Sequence, residues 1–294
     1  MPADAVAHRI VHMGGLQIRA AVVDDPLLRH IEEGAEIAPL HNRPALQALR
    51  DARRALPDVP HVAVSDSYFH RTLPEAAKEY AIPRDLRERH EIVRHGFHGL
   101  SVEWAAAVAS APRLVVCHLG GGCSVTAVRD GRSVDTTMGW TPLEGLPGAT
   151  RSGSVDPGAL LYLTRREAVD DLDRRLEEES GLAALGGLDG ELGFAVFAHR
   201  VAQSAAAMAA AAGGLDALVF TAGIGENRPD VRAAVAERLR FLGVELDERR
   251  NREAVPDCVV SRDGSAVSVH IVRAREELVA ARATRAVLAS DGEG

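Results

Sequence analysis

The chain has 294 residues, of which 46% are hydrophobic and 26% charged, and its formal net charge is −8. That composition fits a globular protein of one large or two smaller domains, and the negative balance argues against nucleic acid or an anionic membrane as its main partner. No apolar run reaches the roughly 18 residues of a membrane span, and Cys117, Cys123 and Cys258 are spaced for neither a disulfide framework nor a CxxC zinc site. A cytoplasmic protein is the expectation.

In chain order, residues 7–15 (AHRIVHMGG) alternate and then break at glycines, which predicts a strand and a turn. Arg9 is then a charge on a half-buried strand. Residues 26–34 read as a short helix, residues 38–42 (APLHN) as a loop carrying Leu40 and His41, and residues 44–56 as a second helix. A short strand over 62–65 delivers Asp66 just past its C-terminal end. That is a common active-site position in α/β folds, although an N-cap reads equally well there. Residues 94–101 (RHGFHGLS) form a glycine-fixed loop presenting Phe97 and His98 ahead of a helix over 102–109.

Residues 113–119 make an apolar strand ending in His118 and Leu119, and Gly120, Gly121 and Gly122 follow at once. Residues 124–129 and 132–136 then pair as a hairpin through Asp130-Gly131. Three successive glycines let backbone N–H groups approach an anion without interference from a Cβ. The loop over 139–151 carries Pro142 and ends on Arg151. Backbone donors with one bidentate cation are phosphate-handling chemistry.

Helices are expected over 158–166, 170–178 and 194–212, then a buried strand over 216–221. AGIGEN (222–227) reads as a glycine turn into a helix over 229–241, with Asn227 as N-cap. A strand, a glycine turn and a helix N-terminus form an anion or nucleotide site, here Gly223, Ile224, Gly225, Glu226 and Asn227. The missing sixth-position glycine argues against a dinucleotide fingerprint. A strand over 267–272 and a helix over 276–288 close the pattern, and Glu276 at the helix start complements its dipole.

Eight ordered blocks carry a more specific message: HRIVHMGG, SDSYFH, RHGFHGLS, HLGGGCSV, DTTMGWTPLEG, TRSGSVDP, FTAGIGEN and AREELVAAR. Together, over residues 7–288, they resemble the signature of the acetate kinase family. The resemblance implies an α/β, two-domain actin-like ATPase fold of the sugar kinase, Hsp70 and actin superfamily. Its first domain would comprise residues 1–66 plus 273–294, and its second residues 67–272. It also implies ATP as co-substrate with Mg2+ (or Mn2+), acetate or another short carboxylate as acceptor, ADP as product, and a homodimer. By the same resemblance Asp66, His98 and Arg151 are catalytic, and Arg9, Val11, Leu40, His41, Phe97 and Pro142 bind substrate. His118, Leu119, Gly120, Gly121 and Gly122 would cradle the ATP phosphates, residues 223–227 would lie by the adenosine, and Glu276 would serve the metal.

Several positions depart from the family pattern. Family members open with a strand and hairpin carrying an asparagine, a serine run and a lysine, which this sequence lacks. The expectation is an incomplete, poorly supported first domain and a misassigned or truncated start at Met1. Gly121 replaces an asparagine, and residues 181–194 (GLAALGGLDGELGF) lack the family's serine-aspartate-arginine run near the adenosine. Met13, His95, Leu100, Val102 and Arg275 also differ. Two readings compete: an active kinase, with Val11 leaning towards acetate over propionate, and a truncated, impaired member that only binds a ligand or partner. A zinc enzyme built on the 12 histidines is a distant third, because His8 and His12 fall on a strand rather than at helical spacing.

Overall fold

The computed structural model describes residues 3–13, 16–35 and 39–291, without the side chains of residues 39–41 and 291. The expectations at Leu40 and His41 therefore lie outside the described residues. Two sheets organise the rest. The smaller contains β1 (Val6–Ile10), β2 (Ala20–Val22) and β3 (His61–Ser65) in the order β1-β3-β2, with β1 parallel and β2 antiparallel to β3.

Strand β3 is buried at all five positions, because both of its faces are covered. Ala63 packs with Ile10, Leu27, Ile31 and Leu49 against the helices Asp25–Gly34 and Pro39–Ala55. Val62 and Val64, on the opposite face of the same strand, meet Val279, Ala280 and Ala283 of the C-terminal helix Glu276–Asp291. The second helix starts at Pro39, not near Pro44 as the sequence suggested. Pro44 thus sits inside a helix rather than at its first turn.

The larger sheet contains β4 (Arg113–Leu119), β5 (Cys123–Arg129), β6 (Arg132–Thr136), β7 (Ala217–Thr221), β8 (Cys258–Val259) and β9 (Ser268–Ile271). Their order is β6-β5-β4-β7-β9-β8, with β4, β7 and β9 parallel. Asp130 and Gly131 both adopt left-handed conformations (φ 51 and 75), as a two-residue hairpin turn requires. Period-two alternation then divides β4: Val115, Cys117 and Leu119 face the long helix Glu191–Ala212, whereas Leu114 and Val116 face the helix Gly99–Ala109. His118 shares the second face, which aims it at the start of the Gly99–Ala109 helix.

AGIGEN is not a glycine turn. It is a short helix, Ala222–Asn227, entered directly from β7 through a left-handed Ala222 (φ 65). Nor does Asn227 cap the next helix, Pro229–Arg238, whose N-cap is Arg228; the Asn227 amide instead donates to the Gly223 carbonyl at 2.8 Å. The stabilising partner is the buried Arg232, which donates to the carbonyls of Gly225 and Glu226 at 2.9 Å each and to Asn251 at 2.7 Å. Satisfied carbonyls at a helix C-terminus override the low helix propensity of two glycines.

Replacing Arg232 with leucine removes the guanidinium and orphans those acceptors. The expected cost is about 2–4 kcal/mol, from two or more buried groups left unpaired. It would be read as a lower urea midpoint at unchanged m value.

Candidate active site

The site begins where β3 ends. Asp66 is wholly buried and its Oδ2 accepts twice: from the Arg9 guanidinium at 2.8 Å and from the His98 backbone N–H at 2.9 Å. Arg9 lies opposite Val64 in the β1–β3 register, and its other terminal nitrogen reaches Glu276 Oε2 at 3.0 Å. The Gly99 N–H donates to the Asp66 carbonyl at 2.7 Å, so close that a Cβ at residue 99 would overlap it. These bonds clamp the small sheet, the Gly99–Ala109 helix and the C-terminal helix onto one carboxylate.

The electrostatics follow from that geometry. Burial alone would push the Asp66 carboxyl up, but Arg9 and the His98 N–H hold it below the ordinary carboxylate range. Burial raises Glu276, and Arg9 only partly offsets this. Arg9 itself is raised, its two carboxylates outweighing desolvation. Arg151 is lowered by burial. His118 is held at about 4, first by burial and then by Arg9, so its ring is neutral at pH 7.

The His98 and His118 rings stack with centroids 4.0 Å apart and planes 20° from parallel. His98 Nδ1 lies 3.0 Å from Ser124 Oγ, and His118 Nδ1 lies 2.8 Å from Ser101 Oγ. With Arg9, Asp66, Arg151 and Glu276 they supply the polar lining of one cavity of ≈ 190 Å³. Val11, Phe97 and Pro142 supply its apolar wall, and Met138 packs behind Val11 and Phe97. The volume falls below the roughly 300–1,000 Å³ of drug-sized pockets, which suits a small carboxylate with one phosphoryl group.

Arg151 reaches the cavity on a loop held by backbone bonds. Ala149 N–H donates to the Gly121 carbonyl at 3.0 Å, and the N–H groups of Ser180, Leu182 and Ala183 donate to Thr150, Gly148 and Ala149 at 2.8, 2.9 and 2.9 Å. The start of the 181–194 segment thus braces the arginine loop. Gly122 has no room for a Cβ, which would stand 2.5 Å from the Arg151 guanidinium and 3.3 Å from His98 Nε2. Gly121 is different, since an added Cβ would meet nothing within 4 Å.

On the proposed nucleotide side the predicted residues separate. A Cβ on Gly120 would stand 3.4 Å from Ala222 Cβ and 3.9 Å from Gly223 N, so the two glycine segments adjoin. Leu119 points its side chain into the core, leaving only its backbone to face a ligand. Ile224 packs on the core and Gly225 on Phe220, while Glu226 accepts the Ala274 N–H at 2.9 Å and steadies the approach to Glu276.

Other contributors went unread in the sequence: Ser101, Ser124, Met138 and the bracket formed by Tyr80, Arg94 and Glu144. Tyr80 donates to Glu144 and accepts the Trp140 N–H at 2.9 Å. Arg94 bonds Glu144 at 3.0 Å and the carbonyls of Thr136, Thr137 and Met138 at 3.1, 3.3 and 3.0 Å. Arg94 and Glu144 lie inside recognised blocks, so position was available as a signal, but not the pairing.

This architecture recurs in solved structures. It matches a propionate kinase from Francisella tularensis with a TM-score of 0.88 at 34% identity, over 95% of this chain and 78% of that one. It matches Porphyromonas gingivalis acetate kinase with a TM-score of 0.87 at 31% identity, over 97% of this chain and 78% of that one. The protein is therefore an α/β protein with the actin-like ATPase fold. An acetate kinase of Leifsonia xyli subsp. xyli is 45% identical over 98% of this chain and 79% of its own length. The sequence profile of the acetokinase family matches residues 2–282, and the chain belongs to that family.

Two outcomes are expected from this geometry. Gly121→Ala should leave turnover within about twofold, whereas Gly122→Ala should lower it by about tenfold or more by displacing the Arg151 guanidinium; steady-state rates separate the two. Buried histidines should also set the acid limb of stability. His12, His70 and His118 are held at about 4 and His95 at about 3, chiefly by burial, against roughly 6.5 unfolded. Their folded pKa values are depressed, so the stability they confer is complete above pH 6.5 and is lost as pH falls towards 4. Each histidine contributes a slope of about 1.4 kcal/mol per pH unit. Melting temperature measured against pH should fall steeply below pH 6.5, and less steeply in His70→Gln.

Proposed function

We propose that the chain is an acetate kinase, transferring the γ-phosphoryl group of ATP reversibly to acetate to give acetyl phosphate and ADP. The observation that carries the reading is one small cavity that gathers two guanidinium groups, two stacked imidazoles and a buried carboxylate from both sheets. Its family membership and its acetate kinase relatives support the same activity.

Acetate is already ionised at neutral pH, so no strong base is needed. Its methyl group would rest on Val11, Phe97 and Pro142, with its carboxylate towards Arg9. In-line attack then depends on positioning and charge neutralisation. Arg151 and His98 would hold the equatorial oxygens of the transferring group, while Asp66 orients Arg9. His118 and the backbone of Gly120, Gly121 and Gly122 would hold the ATP phosphates, with Gly223 nearest to them among residues 223–227.

Mg2+ is usually held by one or two carboxylates plus nucleotide phosphate oxygens. Asp66 Oδ1, buried without a hydrogen-bond partner among the described residues, and Glu276 are hard oxygen donors of that kind. When bound, the ion would neutralise charge on the transferring phosphate. The actin-like halves would be residues 1–66 plus 273–294 and residues 67–272. A homodimer is proposed through the helix Pro157–Leu163, which has no buried residue and exposes Leu161 and Tyr162 by 59% and 54%. A cytoplasmic location accords with ATP as co-substrate.

Acyl phosphate trapped as hydroxamate, from purified protein with Mg-ATP and acetate, tests the activity. Wild-type turnover should saturate with acetate, and Arg151→Ala should lose at least about 10²-fold in kcat. A folded wild-type protein that gives none contradicts the proposal. Val11→Ala removes two methyl groups from the acyl wall and should raise the propionate-to-acetate ratio of kcat/KM by about tenfold.

A further inference from the structure

We infer that Ser101 and Ser124 are positioning residues that fix the tautomers of His118 and His98, so that both rings present Nε2–H to the cavity. Both serines are completely buried, and among the described residues neither hydroxyl makes a hydrogen bond other than the one to an imidazole Nδ1. A neutral imidazole has one donor and one acceptor nitrogen, and its partners decide which is which. If Nδ1 carried the proton, the serine oxygen would accept it and the hydroxyl hydrogen would be left buried with no partner. An orphaned buried donor is rarer and costlier than an oxygen short of one bond. The serine therefore donates, Nδ1 accepts, and the ring proton goes to Nε2.

The placement of Nε2 gives that choice its purpose. The Cβ position of Gly122 lies 3.3 Å from His98 Nε2 and 2.5 Å from the Arg151 guanidinium, so the ring edge and the arginine meet at one spot on the cavity wall. His118 lines the same cavity. Two imidazole N–H donors beside two guanidinium groups suit an anion.

The bonds are also reciprocal. His98 and Ser101 belong to the start of one helix, while His118 and Ser124 face each other across β4 and β5. Each element's serine holds the other element's histidine, so neither ring of the stacked pair can turn without breaking a buried bond between helix and hairpin.

Long-range 15N–1H NMR of the full chain with labelled histidines, at pH 8, reads the tautomers directly. Signals are assigned with His98→Gln and His118→Gln. Both wild-type rings should show a pyridine-like Nδ1 and a pyrrole-like Nε2. Ser101→Ala should move His118 alone towards mixed tautomers, Ser124→Ala should move His98 alone, and the threonine variants, which keep the hydroxyl, should restore the wild-type pattern. A protonated Nδ1 in either wild-type ring, or alanine spectra that do not move, overturns the inference.

The kinetic arm rests on the acetate kinase reading. Each alanine variant should lose about tenfold in kcat with little change in the KM for acetate, the signature of a donor that matters most in the transition state. Tautomers as expected in a protein without kinase activity would leave the serine assignment standing and remove the functional reading. Kinase activity unchanged by either alanine would overturn the serine assignment and leave the functional reading intact.

Discussion

A carboxylate with no surface in water stays ionised only if a cation and hydrogen bonds replace the solvent it has lost. Asp66 is in that position, and the groups that meet its need come from two distant parts of the chain. Arg9 arrives on β1 and the His98 N–H at the head of the Gly99–Ala109 helix, while Glu276 on the C-terminal helix pairs with the other side of Arg9. The sheet order that puts β1 beside β3 and the left-handed turn at His98 both serve this contact. Removing one partner would leave a buried charge uncompensated, so the small sheet, the Gly99–Ala109 helix and the C-terminal helix meet at this one carboxylate.

A second set of constraints brings positive charge to an acidic protein. The chain carries a formal charge of −8, so a bound anion must be met by local groups rather than by the overall field. Arg151 is the group proposed for this, and backbone bonds hold its loop from both sides: Gly121 on the hairpin, and residues 180–183 beyond it. Gly122 leaves the space that the guanidinium occupies. The glycine loop therefore has two functions divided between neighbours, close approach at Gly122 and open backbone at Gly121.

Much of this was legible in sequence because strands and motifs coincide. β3, β4 and β7 are short apolar runs, and Asp66, His118 and Thr221 stand at or just past their ends, where α/β folds place ligands. The misses have physical causes. Ala222–Asn227 reads as a turn because two glycines lower its helix propensity, and the compensating Arg232 lies in a different helix. Ser101 and Ser124 lie inside recognised blocks but carry no chemistry of their own, so their role is unmarked until their histidine partners are seen across the helix and hairpin. Met138 looks like any core methionine until Val11 and Phe97 are found beside it. In sequence the 181–194 segment shows only what it lacks, whereas in the fold its start braces the Arg151 loop.

The most direct measurement is the reverse reaction followed by 31P NMR: acetyl phosphate, ADP and Mg2+ with the purified chain, beside Asp66→Asn of equal fold. If the carboxylate-centred cavity moves a phosphoryl group between a short carboxylate and a nucleotide, the β-phosphorus signal of ATP grows in with the wild type, saturably in ADP, and is absent or at least about 10²-fold slower in the variant. A folded wild-type protein that leaves acetyl phosphate and ADP unchanged, or an Asp66→Asn protein of equal rate, would contradict it.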